Sequence, residues 1–334
     1  MSDNRLVSFV IIAYNEADNI CNTITSIMAL YELGQHEIII VDDGSHDRTA
    51  DIVKAIAATN DTVRLIELGA NYGRGFARDR GVSEARGEYV AIIDADIILP
   101  LDWLVRTRSA IAKNDAVGGT SVPDGDVAYL CRRFRLTPRF VRNTTTVTGS
   151  NGLYRHEVFE LVSFDRRLRE GEDVALNNAM IKSGLLISTV PGLVVRHQEN
   201  KSFGTSLRWL FESGIGASRQ LVTYREIRQP DLATGSFAVV TALGLLVVFR
   251  GHRLIGTALP AGFVMAASIQ HVRSRFETPA RDLPRVAPAI VADSVLLTAY
   301  FLGRLVGMAK LPQDKPKQGV AEGVAPSTPA RPGA

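Results

Sequence analysis

Cysteine is scarce: Cys21 and Cys131 are the only two among 334 residues. Two thiols make no disulfide framework, and with apolar neighbours both are expected to be small buried side chains in a reducing compartment. Excess charge of one sign is also lacking. A net charge of +3 gives no reason to expect a nucleic-acid partner. Met1 to Arg5 is short and polar and runs straight into an apolar segment, so no signal peptide is expected. Walker A is absent. Gly73-Arg74-Gly75-Phe76-Ala77-Arg78 begins like a dinucleotide fingerprint, but Arg78 stands where the third glycine belongs and the first apolar run lacks a glycine turn. These absences exclude the two commonest phosphate-binding loops and disfavour a nicotinamide dehydrogenase.

What is present is a regular alternation over the first two hundred residues. Val7 to Ile12, Ile38 to Val41 and Tyr89 to Ile93 are near-continuous apolar runs, and Val63 to Leu68 is a weaker one. Continuous rather than alternating runs suit strands covered on both faces. Between them, Ile20, Ile24 and Ile27, then Ile52, Val53 and Ile56, repeat at helical spacing, with Ser45 a candidate N-cap. The reading is an α/β domain with a doubly wound, mostly parallel sheet.

Near residue 231 the composition changes. Leu232 to Phe249 carries no charge, Leu254 to Ile269 is shorter but also uncharged, and Val286 to Met308 is apolar apart from Asp293 and Arg304. A span needs roughly 20 apolar residues, so membrane helices are expected at about 232–249, 254–272 and 286–308. A water-soluble helical bundle is the alternative. Arg219, Arg225 and Arg228 precede the first segment, and Arg273, Arg275, Arg281 and Arg285 precede the third. The positive-inside rule puts both groups on the cytoplasmic side, which makes a multi-pass cell-membrane protein with a cytoplasmic N-terminal domain. Phe203, Leu207, Leu210 and Phe211 form an apolar stripe, so 203–230 reads as an interfacial amphipathic segment. The stretch 310–334 reads as a disordered tail.

Polar groups follow the apolar runs where ligands gather in open α/β sheets. Ala13-Tyr14-Asn15-Glu16 follows the first, Asp42-Asp43-Gly44-Ser45 the second, and Asp94-Ala95-Asp96 the third. Three acidic strand ends repel one another and lose solvation, a cost that a bound cation would relieve. An Asp-x-Asp pair is hard-oxygen chemistry suited to Mg²⁺ or Mn²⁺, with phosphate oxygens completing the shell. Alone it is more often a turn or a helix cap; its place at the end of an apolar strand, opposite a second acidic strand end, favours the metal.

These residues, in order, resemble the family 2 glycosyltransferases of the GT-A fold. The resemblance covers about 6 to 210 and continues through Asn71, Ala77-Arg78, Gly87-Glu88-Tyr89, Gly149-Ser150-Asn151-Gly152, Phe164-Asp165 and Glu172-Asp173. It implies a catalytic domain over 1–202, with a nucleotide-sugar donor (a UDP-sugar favoured) lined by Ala13, Tyr14, Asn15, Glu16, Asp43, Asn71, Arg78 and Asp94. It implies a metal, Mn²⁺ or Mg²⁺, at Asp94 and Asp96, with His197 joining them or serving as an ordinary strand-end histidine. It implies Asp173 as catalytic base, with Glu172 beside it, in an inverting transfer. Asp79 stands where the family usually has Asn.

On the acceptor side the reading names Gly149, Asn151, Arg208 and Trp209, and a lipid-linked or polyisoprenyl-phosphate acceptor. Arg208-Trp209 partly matches the Gln-x-x-Arg-Trp motif of processive synthases, with Thr205 at the Gln position, so a processive polysaccharide synthase is the runner-up. The arginines Arg132, Arg133, Arg135, Arg139 and Arg142 are either a solvated face or a patch for anionic headgroups. A sugar-1-phosphate nucleotidyltransferase would open with a glycine-rich basic loop, and a non-catalytic membrane scaffold would have no use for Asp94, Asp96 and Asp173 together.

Overall fold

The computed structural model describes residues 5–122, 126–137, 146–198, 202–224, 227, 229–277 and 283–309. Arg139, Arg142, Arg225, Arg228, Arg281, the side chain of Arg219 and the expected tail 310–334 lie outside the described residues.

The chain begins β1 (Val7–Ala13), α1 (Ile20–Met28), β2 (His36–Asp42), α2 (Thr49–Ala57), β3 (Val63–Glu67), α3 (Arg74–Ser83), β4 (Tyr89–Asp94), β5 (Ile97–Ile98) and α4 (Trp103–Ile111). It continues β6 (Ala116–Val122), α5 (Asp126–Phe134), β7 (Asn151–Arg155), α6 (Val158–Leu161), α7 (Glu172–Lys182) and β8 (Ile187–His197). Four long helices follow: α8 (Phe203–Tyr224), α9 (Gln229–Phe249), α10 (Arg253–Arg275) and α11 (Leu283–Ala309).

Among the described residues the strands form one sheet of order β3-β2-β1-β4-β7-β6-β8-β5. The block β3-β2-β1-β4 is parallel, as the apolar runs predict, while β7 enters antiparallel to both β4 and β6. All seven residues of β1 are buried, because apolar layers cover both sheet faces. Phe9, Ile11, Ile38 and Trp103 belong to one layer, and Val10, Ile39, Val41, Ala77 and Leu176 to the other.

Strand register sets the level of the chemistry. Ala13 pairs with Asp42, and Ile12 pairs with Asp94. The ends of β1, β2 and β4 therefore stop together, and their acidic groups emerge along one edge. β5 pairs with β8 so that Ile97 faces His197, which carries a late residue back to the segment after β4.

Two expectations are corrected. Cys21 is exposed and Cys131 half-buried; Cys21 sits on the outer side of α1, whose inner side is filled by Ile20, Ile24 and Ile27. Ser45 does not cap α2, which begins after Arg48. Its hydroxyl donates instead to Asp42 and accepts from the Asn15 amide at 2.9 Å, while Asp47 accepts from the Thr49 amide at 3.0 Å.

Helices α9, α10 and α11 are long and apolar enough to cross a membrane by length and composition. The α9–α10 pair meets through Gly244 and Gly256, each lying against the other's carbonyl. α8 is covered by this chain's own helices: Gly303 lies on the Phe211 backbone, and Gly214 on Tyr300 and Arg304. The stripe residues Phe203, Leu207 and Leu210 pack in the same way, against Leu130, Val272, Val286 and Leu296. Two polar side-chain pairs tie this bundle. Arg304 holds Asp231, with both side chains buried, and donates to the Tyr300 hydroxyl at 3.0 Å. Asp293, fully buried, meets His271 Nδ1 at 3.0 Å, which gives this carboxylate a partner.

Candidate active site

The site is organised around Arg78. Gly73, at φ 99°, starts α3, and the helix carries Arg78 into the sheet edge at 1% exposure. Its Nη1 donates to Glu172 Oε1 at 2.5 Å and its Nη2 to Asp94 Oδ1 at 2.7 Å. Asp173 also lies within its electrostatic reach. A cation this buried persists because it is paired. One guanidinium thus joins the end of β4 to the start of α7, and Asp94, Glu172 and Asp173 gather on it. Arg74, earlier on α3, is a second positive charge felt by Asp94 and Glu172.

The two acidic residues of α7 differ in access. Glu172 is 2% exposed, and its second oxygen, Oε2, is buried without a hydrogen-bond partner among the described residues. Burial raises its pKa against the pull of Arg78, and Asp173 raises it further. Asp173 is only half-buried. Its Oδ2 accepts from the Gly149 amide at 3.1 Å and its Oδ1 from the Val174 amide at 2.8 Å. The accessible carboxylate is therefore Asp173, while Glu172 touches Arg78 and holds it. Glu172, expected beside the base as a catalytic residue, is buried against Arg78.

Gly149 is required at its place: a side chain there would strike the Arg78 guanidinium. Asn177 fixes the same loop, accepting from the Val147 amide at 2.9 Å and donating to the Asp173 carbonyl at 2.7 Å. Sequence reasoning missed Asn177; the one available signal was an amide one turn after Asp173. Asn151, named for the acceptor, is a correction. It is fully buried, and its Oδ1 accepts from the Gly119 amide at 2.7 Å, so it fastens β7 to β6. Asp79 turns away from the site to Arg166 Nε at 2.5 Å. Arg208 is exposed, and Trp209 packs with the apolar cluster that joins α5, α10 and α11.

The strand-end loops form the other wall. Asn15 takes φ 57°, accessible to asparagine at small cost. It accepts from the His46 amide at 2.8 Å, which ties the loop after β1 to the loop after β2. Tyr14 is exposed, 6.3 Å from His46 in edge-on geometry. Asp43, expected at the donor base, is 5% exposed and accepts from the Tyr72 and Gly73 amides at 2.7 and 2.9 Å. Burial raises its pKa against those bonds. Asn71 accepts from Arg169, another residue the sequence did not single out.

His197 Nε2 lies 2.8 Å from Asp96 Oδ2. Glu16 sits among these acids: burial and then Asp96 push its carboxyl up to about 7, with Asp94 adding to the rise, while the Asn19 hydrogen bond and His197 pull it down. Negative charge thus accumulates at this edge beyond what Arg78 and Arg74 offset. Among the described residues no group of three or more His, Cys, Asp or Glu side chains is gathered closely enough to hold an ion unaided. The expected trio of Asp94, Asp96 and His197 is not assembled among the described residues, and Asp94 is instead hydrogen-bonded by Arg78. The Asp96–His197 pair beside Glu16 nevertheless fits a hard divalent ion, which needs a few oxygen or imidazole ligands when phosphate oxygens and water supply the rest.

Comparison with known proteins gives a consistent result. Residues 8–164 match the model of glycosyl transferase family 2. The succinoglycan biosynthesis protein ExoO of Rhizobium meliloti (strain 1021) is 29% identical, over 86% of this chain and 92% of that protein. The poly-beta-1,6-N-acetyl-D-glucosamine synthase of Staphylococcus aureus (strain MSSA476) is 38% identical over 97 residues, 29% of this chain but 23% of that enzyme's length. In fold, the chain resembles the mannosyltransferase PcManGT from Pyrobaculum calidifontis, solved with GDP-Man and Mn²⁺. The TM-score is 0.56 and the identity 19%, covering 91% of this chain and 86% of that one.

Proposed function

The chain is a family 2 glycosyltransferase, and from that premise we propose that it transfers a sugar, with inversion, from a nucleoside-diphosphate sugar to a lipid-linked acceptor at a membrane. The observation that carries the reading is the pairing of Asp94 and Glu172 with Arg78, with Asp173 within its electrostatic reach, beside the Asp96–His197 pair. A half-buried base stands next to a charged strand-end edge whose chemistry suits a diphosphate and its counter-ion.

Asp173 takes the proton of the acceptor hydroxyl as that oxygen attacks the anomeric carbon. The bond from that carbon to the diphosphate breaks, the nucleoside diphosphate departs with the electron pair, and Asp173 later yields the proton to solvent. The Gly149 and Val174 amides hold Asp173 in position. Arg78 and Glu172 fix the distance between β4 and α7. Asp96 and His197 are the residues that would hold Mg²⁺ or Mn²⁺; when bound, the ion neutralises the diphosphate as it leaves. Tyr14, Asn15, Asp43 and Asn71 shape the donor side, with a UDP-sugar favoured.

A lipid-linked acceptor is supported by the three apolar helices, α9 to α11. The exposed Arg273, Arg275 and Arg285 at the α10–α11 turn support a cytoplasmic catalytic domain under the positive-inside rule. In the processive alternative, Arg208 and Trp209 would hold the growing chain.

Asp173→Asn should keep donor binding, read by thermal shift with nucleotide-sugars and Mn²⁺, and lose transfer by roughly 10²–10⁴-fold, the usual worth of a positioned base. Normal turnover would refute the base assignment. Asp96→Ala should abolish the metal-dependent part of donor binding; full activity in chelator would remove the metal from the reading. Lipid-linked and soluble acceptors assayed side by side test the acceptor class, and exclusive use of soluble ones would refute it.

A further inference from the structure

The arginines of α5 lie far in sequence from every apolar helix, yet the fold brings them to the level where two of those helices end. Leu130 of α5 and the following Leu136 are buried together with Val272 and Phe276 at the end of α10 and Val286 and Ala289 at the start of α11. The Glu277 amide, just past α10, donates to the Thr137 carbonyl at 2.9 Å, which stitches the two chain segments. Around this junction stand Arg132, Arg133 and Arg135 from the α5 side, Arg273 and Arg275 from the last turn of α10, and Arg285 from the first turn of α11, all exposed. Arg135, at φ 54°, ends α5 and starts the turn that leads into the stitch. Glu277 is exposed at the same place, so the described side chains leave a clear positive excess.

We propose that this arginine collar, contributed jointly by α5 of the catalytic domain and by the α10–α11 turn, docks on the anionic phospholipid headgroups of the bilayer that α9–α11 enter. The inference rests on the reading of those helices as spans. Given that reading, the ends of α10 and α11 sit at headgroup depth, and α5 is packed against those ends. The positive-inside pattern accounts for arginines flanking a span in sequence; it does not account for those of α5, which only tertiary packing places there. Guanidinium groups at that depth meet lipid phosphates, each contact being favourable and screened by salt. Continuity with exposed apolar side chains such as Ile269 and Leu283 favours a lipid surface over a soluble phosphate. The consequence is that the sugar-transfer domain is held at a fixed height over the membrane by its own helix, and not by its covalent tether alone.

The test is hydrogen exchange of the full chain in nanodiscs of phosphatidylcholine alone and with about a third phosphatidylglycerol, the headgroup mixture being chosen to supply charge. The α5 amides should exchange at least several-fold more slowly with phosphatidylglycerol. About 0.5 M NaCl should erase the difference, and so should the triple variant Arg132→Gln, Arg133→Gln, Arg135→Gln. Equal exchange of α5 in the two bilayers would overturn the proposal. So would equal protection from soluble glycerol phosphate in phosphatidylcholine discs, which would mark a free-phosphate site. The salt arm uses the unaltered protein and stands even if the variant folds poorly. Incorporation into the discs separately tests the spanning reading, and failure there would remove both.

Discussion

Arg78 and Arg304 are both buried arginines, one in the sheet domain and one in the helical region, and they are balanced differently. Among the described residues Arg304 faces one carboxylate, Asp231, and a neutral hydroxyl, Tyr300. Arg78 binds Asp94 and Glu172 and lies within reach of Asp173, while Asp96 and Glu16 stand close by. The first is a one-to-one ion pair, among the described residues, between two helices. The second sits at the centre of a surplus of negative charge, which a structure serving only stability would not accumulate. Burial of a charged pair is thus weak evidence of function by itself; an uneven count of charges is stronger.

The sharpest way to break the comparison is to replace each pair by apolar groups. Arg78→Ala leaves two carboxylates facing each other without their cation and should cost about 3–5 kcal/mol, with loss of transfer. Arg304→Met alone should destabilise by a similar amount. Arg304→Met combined with Asp231→Leu should recover most of that stability and retain activity, because a neutral pair can be exchanged for packing. Arg78→Met combined with Glu172→Leu should not recover activity whatever it does for stability. Denaturation in detergent and donor turnover together decide this; loss of activity in the helical double variant would make Arg304 part of the chemistry.

A smaller effect is expected at Gly149. Gly149→Ala sets a methyl against the Arg78 guanidinium and should destabilise by about 1–3 kcal/mol. Activity should fall more than stability, because the same residue's amide holds Asp173. A variant with unchanged turnover would show that Arg78 can shift without consequence.

The smallest effect is a pH dependence at Glu16. Its folded pKa, about 7, lies above the ordinary 4.5. Its contribution to stability is therefore intact below about pH 4.5 and is lost as pH rises through 7. Glu16→Gln removes the penalty. In chelator it should stabilise the protein by about 1–3 kcal/mol at pH 8 and little at pH 5. Equal shifts at both pH values would mean that burial and the neighbouring Asp96 and Asp94 do not raise the Glu16 pKa.

Much of the catalytic half was legible in order. The runs at Val7–Ile12, Ile38–Val41 and Tyr89–Ile93 became β1, β2 and β4, because continuous β-branched apolar residues leave no solvated face and require cover on both sides. The acidic strand ends then had to emerge together. The antiparallel entry of β7 was not legible, since Asn151–Arg155 has no pattern that distinguishes its direction. Nor were the roles of Asn151 and Glu172, because residue type reveals chemistry but not whether solvent can reach it.

The sequence by itself determined the class of fold, the acidic composition of its ligand edge and the existence of apolar helices, since these follow from local periodicity and side-chain chemistry. Tertiary structure alone decided which carboxylate remains accessible, which guanidinium neutralises which acid, and that α5 meets the ends of α10 and α11. Those outcomes depend on distances between residues far apart in the chain, and no local pattern encodes such a distance.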